Sequence, residues 1–565
     1  MAPAGPPQLL TYNRRIMTDS FSENCRDFLD GQYDCVDRMV LNAYFPLAQG
    51  PGGFRIWWRR LMGGEDRLDD THLMRLAGRF ARRVRAFAKA RGIPVVFCLA
   101  GTRKDEVAQT YLAQHPDVKG IFMILIGRAP GPVWQVKRNA QGVITDIGHP
   151  KSRPYVNHIY FHILDRDWGH LLIKMCAHPP FNAQVLLNGH EYVACQAQKK
   201  GITFCKEQNC FTRSASLADL GHVAETLSEE RTIGRLHQIC ESWIYLCLCL
   251  ALDSEDQQRS TFHYEYSVYQ LEYSRNLLFQ VGHTMQELFQ HLIDRNRGAL
   301  DLDRVKTLFG SKKRPCYRKR KGNPNRWGVL VEKPTYDLTI FKVHFGKLTL
   351  KIYTKGERVL RIEAIAHNTH ALSCGRSLPN FPLMVTLLRS MVNRFLDTLQ
   401  SLDTRFISDD TLEQLPQPAQ LGKTHVGGID FNRLRIRNVT QALLVLAVSP
   451  NGFTASQLAS KVQSLTGQSE STYGPRRAAY DLKKFRAKQL VHRIDSTRRY
   501  EVLLPGLRAL AALVVLRDKV IKPLLAAGCH PKRGRKPKSS GPLDHHYDTL
   551  RTGMLGLFNA LQIAA

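Results

Sequence analysis

Residues 440–504 read TQALLVLAVSPNGFTASQLASKVQSLTGQSESTYGPRRAAYDLKKFRAKQLVHRIDSTRRYEVLL. A first helix, Asn438–Val448, is stopped by Ser449-Pro450-Asn451-Gly452. Thr454 is a good N-cap for a second helix, Ala455–Leu465, and Thr466-Gly467 ends it, because glycine enters the left-handed cap conformation without a steric penalty. A third helix begins near Tyr473 or Pro475 and runs to about Lys488. Its Ala478, Leu482 and Phe485 form one apolar stripe, while Arg476, Tyr480, Lys483 and Lys484 project from the other side with Arg477 and Tyr473 beside them. Two short strands, VHRI and YEVLL, follow around Asp495-Ser496-Thr497-Arg498-Arg499, and then a helix over Pro505–Ala527.

Three helices followed by an arginine-tipped ribbon predict a winged helix-turn-helix. In that arrangement the third helix enters the major groove of duplex DNA and the ribbon, here with Arg498 and Arg499, contacts phosphates or the minor groove. The segment AAYDLKKFRAKQLVHRIDSTRRYEVL resembles the recognition helix and wing of MarR-like winged-helix proteins over about residues 437–527. The resemblance implies dimerisation through helices outside the winged core, which here are 505–527 and Tyr547–Leu561. One departure stands out: the turn after the third helix commonly carries glycine in that family, and this chain has Gln489. A winged helix used for protein contacts is the alternative reading.

Between the two C-terminal helices lies PKRGRKPKSSG, in which Arg533-Gly534-Arg535 resembles an AT-hook, with Lys536 intervening before Pro537. Such an Arg-Gly-Arg core fits the narrow minor groove of A·T DNA. A generic basic loop is the other reading of the same residues. The composition agrees with a polyanionic partner, since 80 Lys+Arg against 49 Asp+Glu leave a net charge of +31. Nucleic acid, foremost double-stranded DNA, is the expected partner, with RNA as the other candidate. MAPAGPPQLL has no basic segment leading into an apolar core, and the longest apolar run, Trp243–Leu252, is too short to span a membrane. Thirteen scattered cysteines suit reduced thiols. A cytoplasmic protein without a membrane partner is expected.

The residues before 430 read as α+β, in a chain of several domains. Residues 1–150 are expected to form a mixed α/β basic subdomain, 151–310 a hairpin plus helical subdomain, and 328–405 a β-meander plus helix. Residues 406–429 then form a linker, 430–527 the winged helix, and 528–565 the basic tail and terminal helix. Within 21–40 the carboxylates Asp27, Asp30, Asp34 and Asp37 fall at spacings of three and four, along one face of a helix. Asp69–Arg91 reads as a basic amphipathic helix, IPVVFCLA as a buried strand and GIFMILIG as another. YVNHIYFHILDRDWGHLLIKMC predicts a hairpin turning at Asp165–Gly169. Its period places His158, Tyr160 and His162 on one face, and His170, Lys174 and Cys176 on one face of the second strand. Helices are expected to dominate 216–308, and Tyr336–Ala366 reads as a three-stranded meander followed by a helix over Pro379–Ser401.

Three constellations upstream invite chemistry. Cys176, His178, His190, Cys195, Cys205 and Cys210 are residue types that ligate zinc, although no CxxC or helical HxxxH accompanies them. His158 and His162 with Tyr269 and Tyr273, placed four apart on a helix, resemble the metal and tyrosine set of rolling-circle HUH nucleases. That family's histidines are separated by one residue, and here three intervene. Glu363, beside Arg361 and facing Lys351 and His344, reads as an acid candidate or a structural ion pair. The leading expectation is a duplex-DNA-binding protein with a large region of unassigned activity. The rivals are a metal-dependent DNA-processing enzyme of a mobile element, needing a divalent cation, and an RNA-binding protein. For the last, Trp57 and Trp58 beside Arg55, Arg59 and Arg60, and the basic segment 312–326 with Tyr317 and Trp327, suit stacking on unpaired bases.

Overall fold

The computed structural model describes residues 19–64, 68–142, 144–299, 327–335, 338–345, 347–403, 413–449, 452–467, 469, 471–494, 497–515 and 517, with a few positions between 542 and 553. They fall into two compact units, one of residues 29–392 with 449–453, the other of residues 1–28, 393–448 and 454–565. The elements begin with α1 (Ser20–Asn24), β1 (Leu29–Tyr44), α2 (Pro51–Leu61), α3 (Asp70–Ala90), β2 (Val95–Cys98), α4 (Lys104–Gln114) and β3 (Gly120–Pro130). Next come β4 (Gln135–Arg138), β5 (Ile144–Gly148), β6 (Tyr155–Asp165), β7 (Gly169–Cys176), β8 (Ala183–Asn188) and α5 (Gly189–Lys199). Then follow β9 (Phe204–Lys206), β10 (Phe211–Ser214), α6 (Leu217–Glu225), α7 (Arg231–Leu248), α8 (Ser254–Ser260), β11 (Glu265–Phe279) and α9 (Gly282–Ala299). The first unit's sheet closes with β12 (Trp327–Thr335), β13 (Leu338–Phe345), β14 (Leu348–Lys355) and β15 (Val359–Ala366), followed by α10 (Phe381–Asp403).

One mixed sheet organises residues 29–392, in the order β12-β13-β14-β15-β11-β1-β8-β7-β6-β3-β2. Its strands come from all three expected subdomains, so the divisions placed near 150 and 310 do not separate compact units. The hairpin β6–β7 and the meander β13–β15 lie where their alternation puts them. At the centre of the sheet the alternation sorts polarity by face. Phe161, Ile173, Val185, Leu41 and Val268 are successive cross-strand neighbours, and each is fully buried. Burying such a row removes it from water at about 25 cal/mol per Å² of apolar surface. The row beside it, on the opposite face, is Tyr160, Lys174, Gln184, Asn42 and Ser267.

Three expectations fail in this unit. Residues 29–44 are a strand and not a helix, so Asp34 and Asp37 do not share a helical face. The acidic spacing misleads because Tyr33, Cys35, Val36, Met39, Val40 and Leu41 are all buried, which a one-faced helix would not allow. The tyrosine-rich segment, expected within a helical region, is the strand β11. Its Gln270, Glu272 and Ser274 alternate with Leu271 and Tyr273, a period of two that outweighs the helical reading, and Arg275, which breaks the polarity before Asn276, is paired with Asp34. Third, β2 is not buried: it is an edge strand paired only with β3, in parallel, and Phe97 is 63% exposed. No helix among the described residues is long and apolar enough to cross a membrane.

The second unit contains the hairpin β16 (Ala419–Leu421) and β17 (Thr424–Val426), then α11 (Leu434–Leu446) and α12 (Ala455–Thr466), with the two-residue strand β18 (Phe453–Thr454) between these helices in the chain. It continues with α13 (Pro475–Ala487), β19 (Val491–Arg493), β20 (Arg499–Val502) and α14 (Leu504–Val515). The three short strands form a sheet in the order β18-β20-β19. Thr454 and Gln457 form a reciprocal capping box at the start of α12, and Gly467 ends it with φ +71°. The segment 413–429, expected to be a linker, packs against α13, and Lys484 and Lys488 donate to the carbonyls of Gly428 and Gln414. Its strands are three residues each, too short to show alternation in sequence. The AT-hook-like residues Arg533 and Arg535, most of the terminal helix and the basic segment 312–326 lie outside the described residues.

Gln489 takes φ +55°, the left-handed conformation that glycine adopts without strain. Gln489→Gly is therefore expected to stabilise this unit by up to about 1 kcal/mol. Calorimetry should show a raised unfolding midpoint, and an unchanged or lowered one would contradict the strain.

Candidate functional site

Three places collect the functional residue types. The first is α13. Its buried Ala478, Leu482 and Phe485 fix the helix to the second unit, and buried Asp481 accepts from Tyr473 Oη at 3.0 Å and pairs with Arg435 at 3.3 Å. This anchoring leaves Arg476, Arg477 and Tyr480 exposed and Lys483 half-buried on the remaining surface. Arg476, Tyr480 and Lys483 follow one another at spacings of four and three, a single stripe. Lys484 belongs elsewhere: its Nζ lies 5.4 Å from the Tyr480 ring centre and donates to Gly428 O. Arg498 is exposed and Arg499 half-buried at the start of β20, while Asp495 and Ser496 lie outside the described residues.

The second place is a cleft on the polar face of the large sheet. Its main chamber, about 1150 Å³, is lined by Asn42, His158, Lys174, Gln184, Tyr269 and Arg376 among others, with Arg153 and His149 at one side. A smaller chamber of about 300 Å³ shares Lys174, Gln184 and Tyr269 with it and adds Arg38, Lys104, Asp105 and Tyr160. A register irregularity between Val40 and Leu41 leaves Tyr269 as the extra residue of β11, which brings both Tyr269 and Gln270 to this face. Gln184 Nε2 donates to Asn42 Oδ1 at 2.9 Å. His158 Nδ1 lies 3.2 Å from Val156 O, and burial first, then the charge of Lys174, lowers its pKa to about 4. The ring is thus neutral at pH 7. Burial also lowers the pKa of Lys174, with Cys176 opposing and Lys104 reinforcing.

The third place is a buried polar network between β14, β15, β11 and β1. Two adjacent cross-strand rows make it: Tyr353, Arg361, Asn276 and Tyr33, and Lys351, Glu363, Ser274 and Cys35. Arg361, fully buried, pairs with Asp37 and, at 2.8 Å, with Glu363, and donates to Asn209 O and Asn276 Oδ1. Glu363 also accepts from Tyr353 at 2.6 Å and pairs with Lys351 at 3.1 Å. His190 Nδ1 lies 2.6 Å from Asp37 Oδ1, and its Nε2 lies 3.4 Å from Tyr33 Oη. Burial alone would raise the Asp37 pKa. The Arg361 guanidinium and then His190 overcome that and hold it below the usual carboxylate range. Burial makes His190 harder to protonate, in spite of Asp37.

Glu272 stands at the rim of this network, half-buried, accepting from Gln270 Nε2 at 2.7 Å. Burial first, then the charges of Glu363 and Asp37, push its carboxyl up to about 7, against the pull of Lys351. A carboxyl whose folded pKa exceeds its unfolded value binds its proton more tightly when folded. Stability therefore declines as pH rises from roughly 4.5 to about 7. Glu272→Gln should leave stability nearly unchanged at low pH, about 4.5, and raise it by roughly 1–3 kcal/mol at about pH 8. Urea titrations of both proteins at the two pH values check this; equal stabilities at the higher pH would refute it.

The sequence-derived constellations are rearranged accordingly. Among the described residues, Cys176, His178, His190, Cys195, Cys205 and Cys210 do not form a ligand cluster; the one grouping with ligand spacing is Cys35, Asp37 and His190. There the Arg361 guanidinium already occupies Asp37, and Cys35 donates to Val36 O at 3.2 Å with its thiol pKa raised by burial. These residues therefore do not suit a divalent cation. The tyrosine and histidine set is split as well. His158 and Tyr269 line the cleft, but His162 is fully buried, with Nδ1 3.0 Å from His170 Nε2, and its pKa falls to about 3 through burial and then His170. Tyr273 is buried against Asp34 at 2.6 Å and Arg389 at 2.7 Å, so it is not poised as a nucleophile. Glu363 is a structural ion-pair partner, as its cationic neighbours indicate; His344 instead bonds Thr349 at 3.0 Å. Trp57 and Trp58 are core residues, closed to base stacking.

Asn276, Glu272 and Lys104 escape sequence reasoning, and Asp37 and Lys174 are seen there without their surroundings, because the groups around them come from elements far apart in the chain. The period-two polarity of 270–274 is the one local signal among them. Compared with family models, with curated proteins and with solved structures, the chain matches none.

Proposed function

We propose that this chain binds double-stranded DNA through residues 434–502, acting as a winged helix of MarR-like design. In this reading α13 lies in the major groove and the β19–β20 ribbon, with Arg498 and Arg499, contacts the backbone. The observation that carries it is the stripe of exposed Arg476 and Tyr480 and half-buried Lys483, with exposed Arg477 beside it, opposite the buried stripe that fixes α13. Three helices, with β18 between the first two and β19 and β20 after the third in one sheet ordered β18-β20-β19, support it, as does the net charge of +31. Lys484, engaged by Gly428, is given a supporting place and not a DNA contact. Arg533 and Arg535 would add a minor-groove contact, and α14 with the amphipathic segment Tyr547–Leu561 would supply a dimer contact. A cytoplasmic site of action is part of this reading, as thirteen scattered cysteines suit reduced thiols.

Titration of a blunt duplex against salt tests the proposal. Wild-type affinity should fall steeply with salt, and Arg476→Glu/Lys483→Glu should weaken binding and flatten the dependence. Duplex binding indifferent to these changes would overturn it.

A further inference from the structure

We infer that the cleft of the large sheet holds a single polynucleotide strand, with phosphates against Lys104 and Lys174 and bases against Tyr269 and the amide-lined floor. This site is independent of α13 and lies within the unit of residues 29–392.

Charge is the first argument. The two joined chambers are lined by Arg38, Lys104, Arg153, Lys174 and Arg376, against the carboxylates Asp105 and Glu265, and Glu265 accepts from Tyr44 Oη at 2.9 Å. No carboxylate among the described residues lies within ion-pair distance of Lys104 or Lys174. Lys104 Nζ sits 4.8 Å from the centre of the Tyr160 ring, in space left by Gly127, where a Cβ would approach the lysine side chain to 3.1 Å. Lys174 is half-buried on the cross-strand row between Tyr160 and Gln184. A cation drawn out of water without a counter-charge costs stability, and an anionic ligand removes that cost. The N-terminal turn of α4, which carries Lys104, borders the same chamber.

The second argument is shape. About 1150 Å³ exceeds the ~300–1,000 Å³ of small-ligand pockets, and the cations are spread from Arg38 to Arg153 and Arg376 instead of clustering at one point. That distribution suits several phosphates along a chain. A duplex presents its phosphates on a rigid convex surface and would not bring one to a half-buried lysine on a cleft floor. An unpaired strand would, and its exposed bases could use what the floor offers. Tyr269 provides an aromatic face. Asn182 has a buried Oδ1 with no partner, and neutral His158 keeps one ring nitrogen as an acceptor. These groups, with the Gln184–Asn42 amide pair, match the donors and acceptors of base edges.

The experiment is fluorescence anisotropy of the full chain with an oligothymidylate of about fifteen nucleotides, a length at the upper end of single-strand site sizes. Lys104→Met/Lys174→Met, which keeps the aliphatic stems, should weaken binding at least about tenfold. It should also make the log-log salt dependence shallower by about 1.4, two contacts at ~0.7 each. Blunt-duplex affinity should stay at the wild-type value, and the unfolding midpoint should hold or rise because an unpaired desolvated charge has been removed. Single-strand affinity within about twofold of wild type would overturn the inference, as would deoxythymidine triphosphate competing as well as the oligonucleotide, which would mark a mononucleotide pocket. Should that variant fold poorly, Arg153→Ala/Arg376→Ala, at exposed positions, reads the same affinity and slope. The duplex arm keeps this result separate from the α13 proposal, since α13 variants alter duplex binding and leave the oligothymidylate titration in place.

Discussion

Arg476→Glu/Lys483→Glu is expected to lower duplex affinity by about 10²–10³-fold near 0.1 M salt. Each phosphate contact on B-DNA releases about 0.9 counterion, so between 1 M and 0.1 M salt one contact is worth about eightfold. Losing two gives about sixtyfold, and the introduced carboxylates add repulsion. The log-log salt slope should become shallower by about 1.8. The fold should survive, because both side chains leave the surface that anchors α13, where Ala478, Leu482 and Phe485 are buried. Unchanged circular dichroism and unfolding midpoint are therefore part of the expected result. Lys484→Glu serves as a contrast: it breaks the bond to Gly428 O and should lower stability. A variant that binds duplex as wild type does, with the same slope, would remove the function proposed for this unit.

Arg361→Met is expected to destabilise the unit of residues 29–392 by about 3–5 kcal/mol, the usual cost of leaving a buried charge without its partner. The substitution takes the guanidinium from between Asp37 and Glu363, and removes the donor that Arg361 gives to the carbonyl of Asn209 and to the amide oxygen of Asn276. Lys351 stays with Glu363, so Asp37 bears most of the loss. Asp37→Asn in the Arg361→Met background should recover part of the stability, because a neutral amide no longer carries the desolvation cost. Urea denaturation of the four proteins gives the coupling energy; additive single effects would show that the pair is not the unit of stability.

The acid limb follows from the same pair. Asp37 has its folded pKa depressed by Arg361 and His190 despite burial, so its contribution is fully present above the unfolded value of roughly 3.9. It is lost as pH falls through the folded value. In Arg361→Met this acid sensitivity should weaken, whereas the decline above about pH 4.5 that Glu272 causes should grow with the extra negative field.

Local features of the chain foretell local structure. Thr454, Gly467 and Pro475 mark helix ends that the structure places within a residue or two, because caps act through the nearest backbone groups. Alternation likewise foretells the β6–β7 hairpin and the strands β13–β15. The basic stripe of α13 is legible for the same reason, since residues three and four apart on a helix are neighbours whatever surrounds them. The linker reading of 406–429 errs where three-residue strands are too short for a period to show.

What lies beyond the sequence depends on pairing across distance. Asp27, Asp30, Asp34 and Asp37 look like one helical face. In the fold Asp34 meets Arg275 of β11 at 2.7 Å, and Asp37 meets Arg361 of β15, 324 residues away. The cleft row from Tyr160 to Ser267 likewise needs five strands whose order, β6-β7-β8-β1-β11, is not their order in the chain. By itself the sequence determined a strongly basic protein with helix ends, hairpins and one charged helical stripe, all set by near neighbours. Only the tertiary structure decided which charges are buried in pairs and which stay open to a ligand, because a charge finds its partner through strand register and not through spacing along the chain.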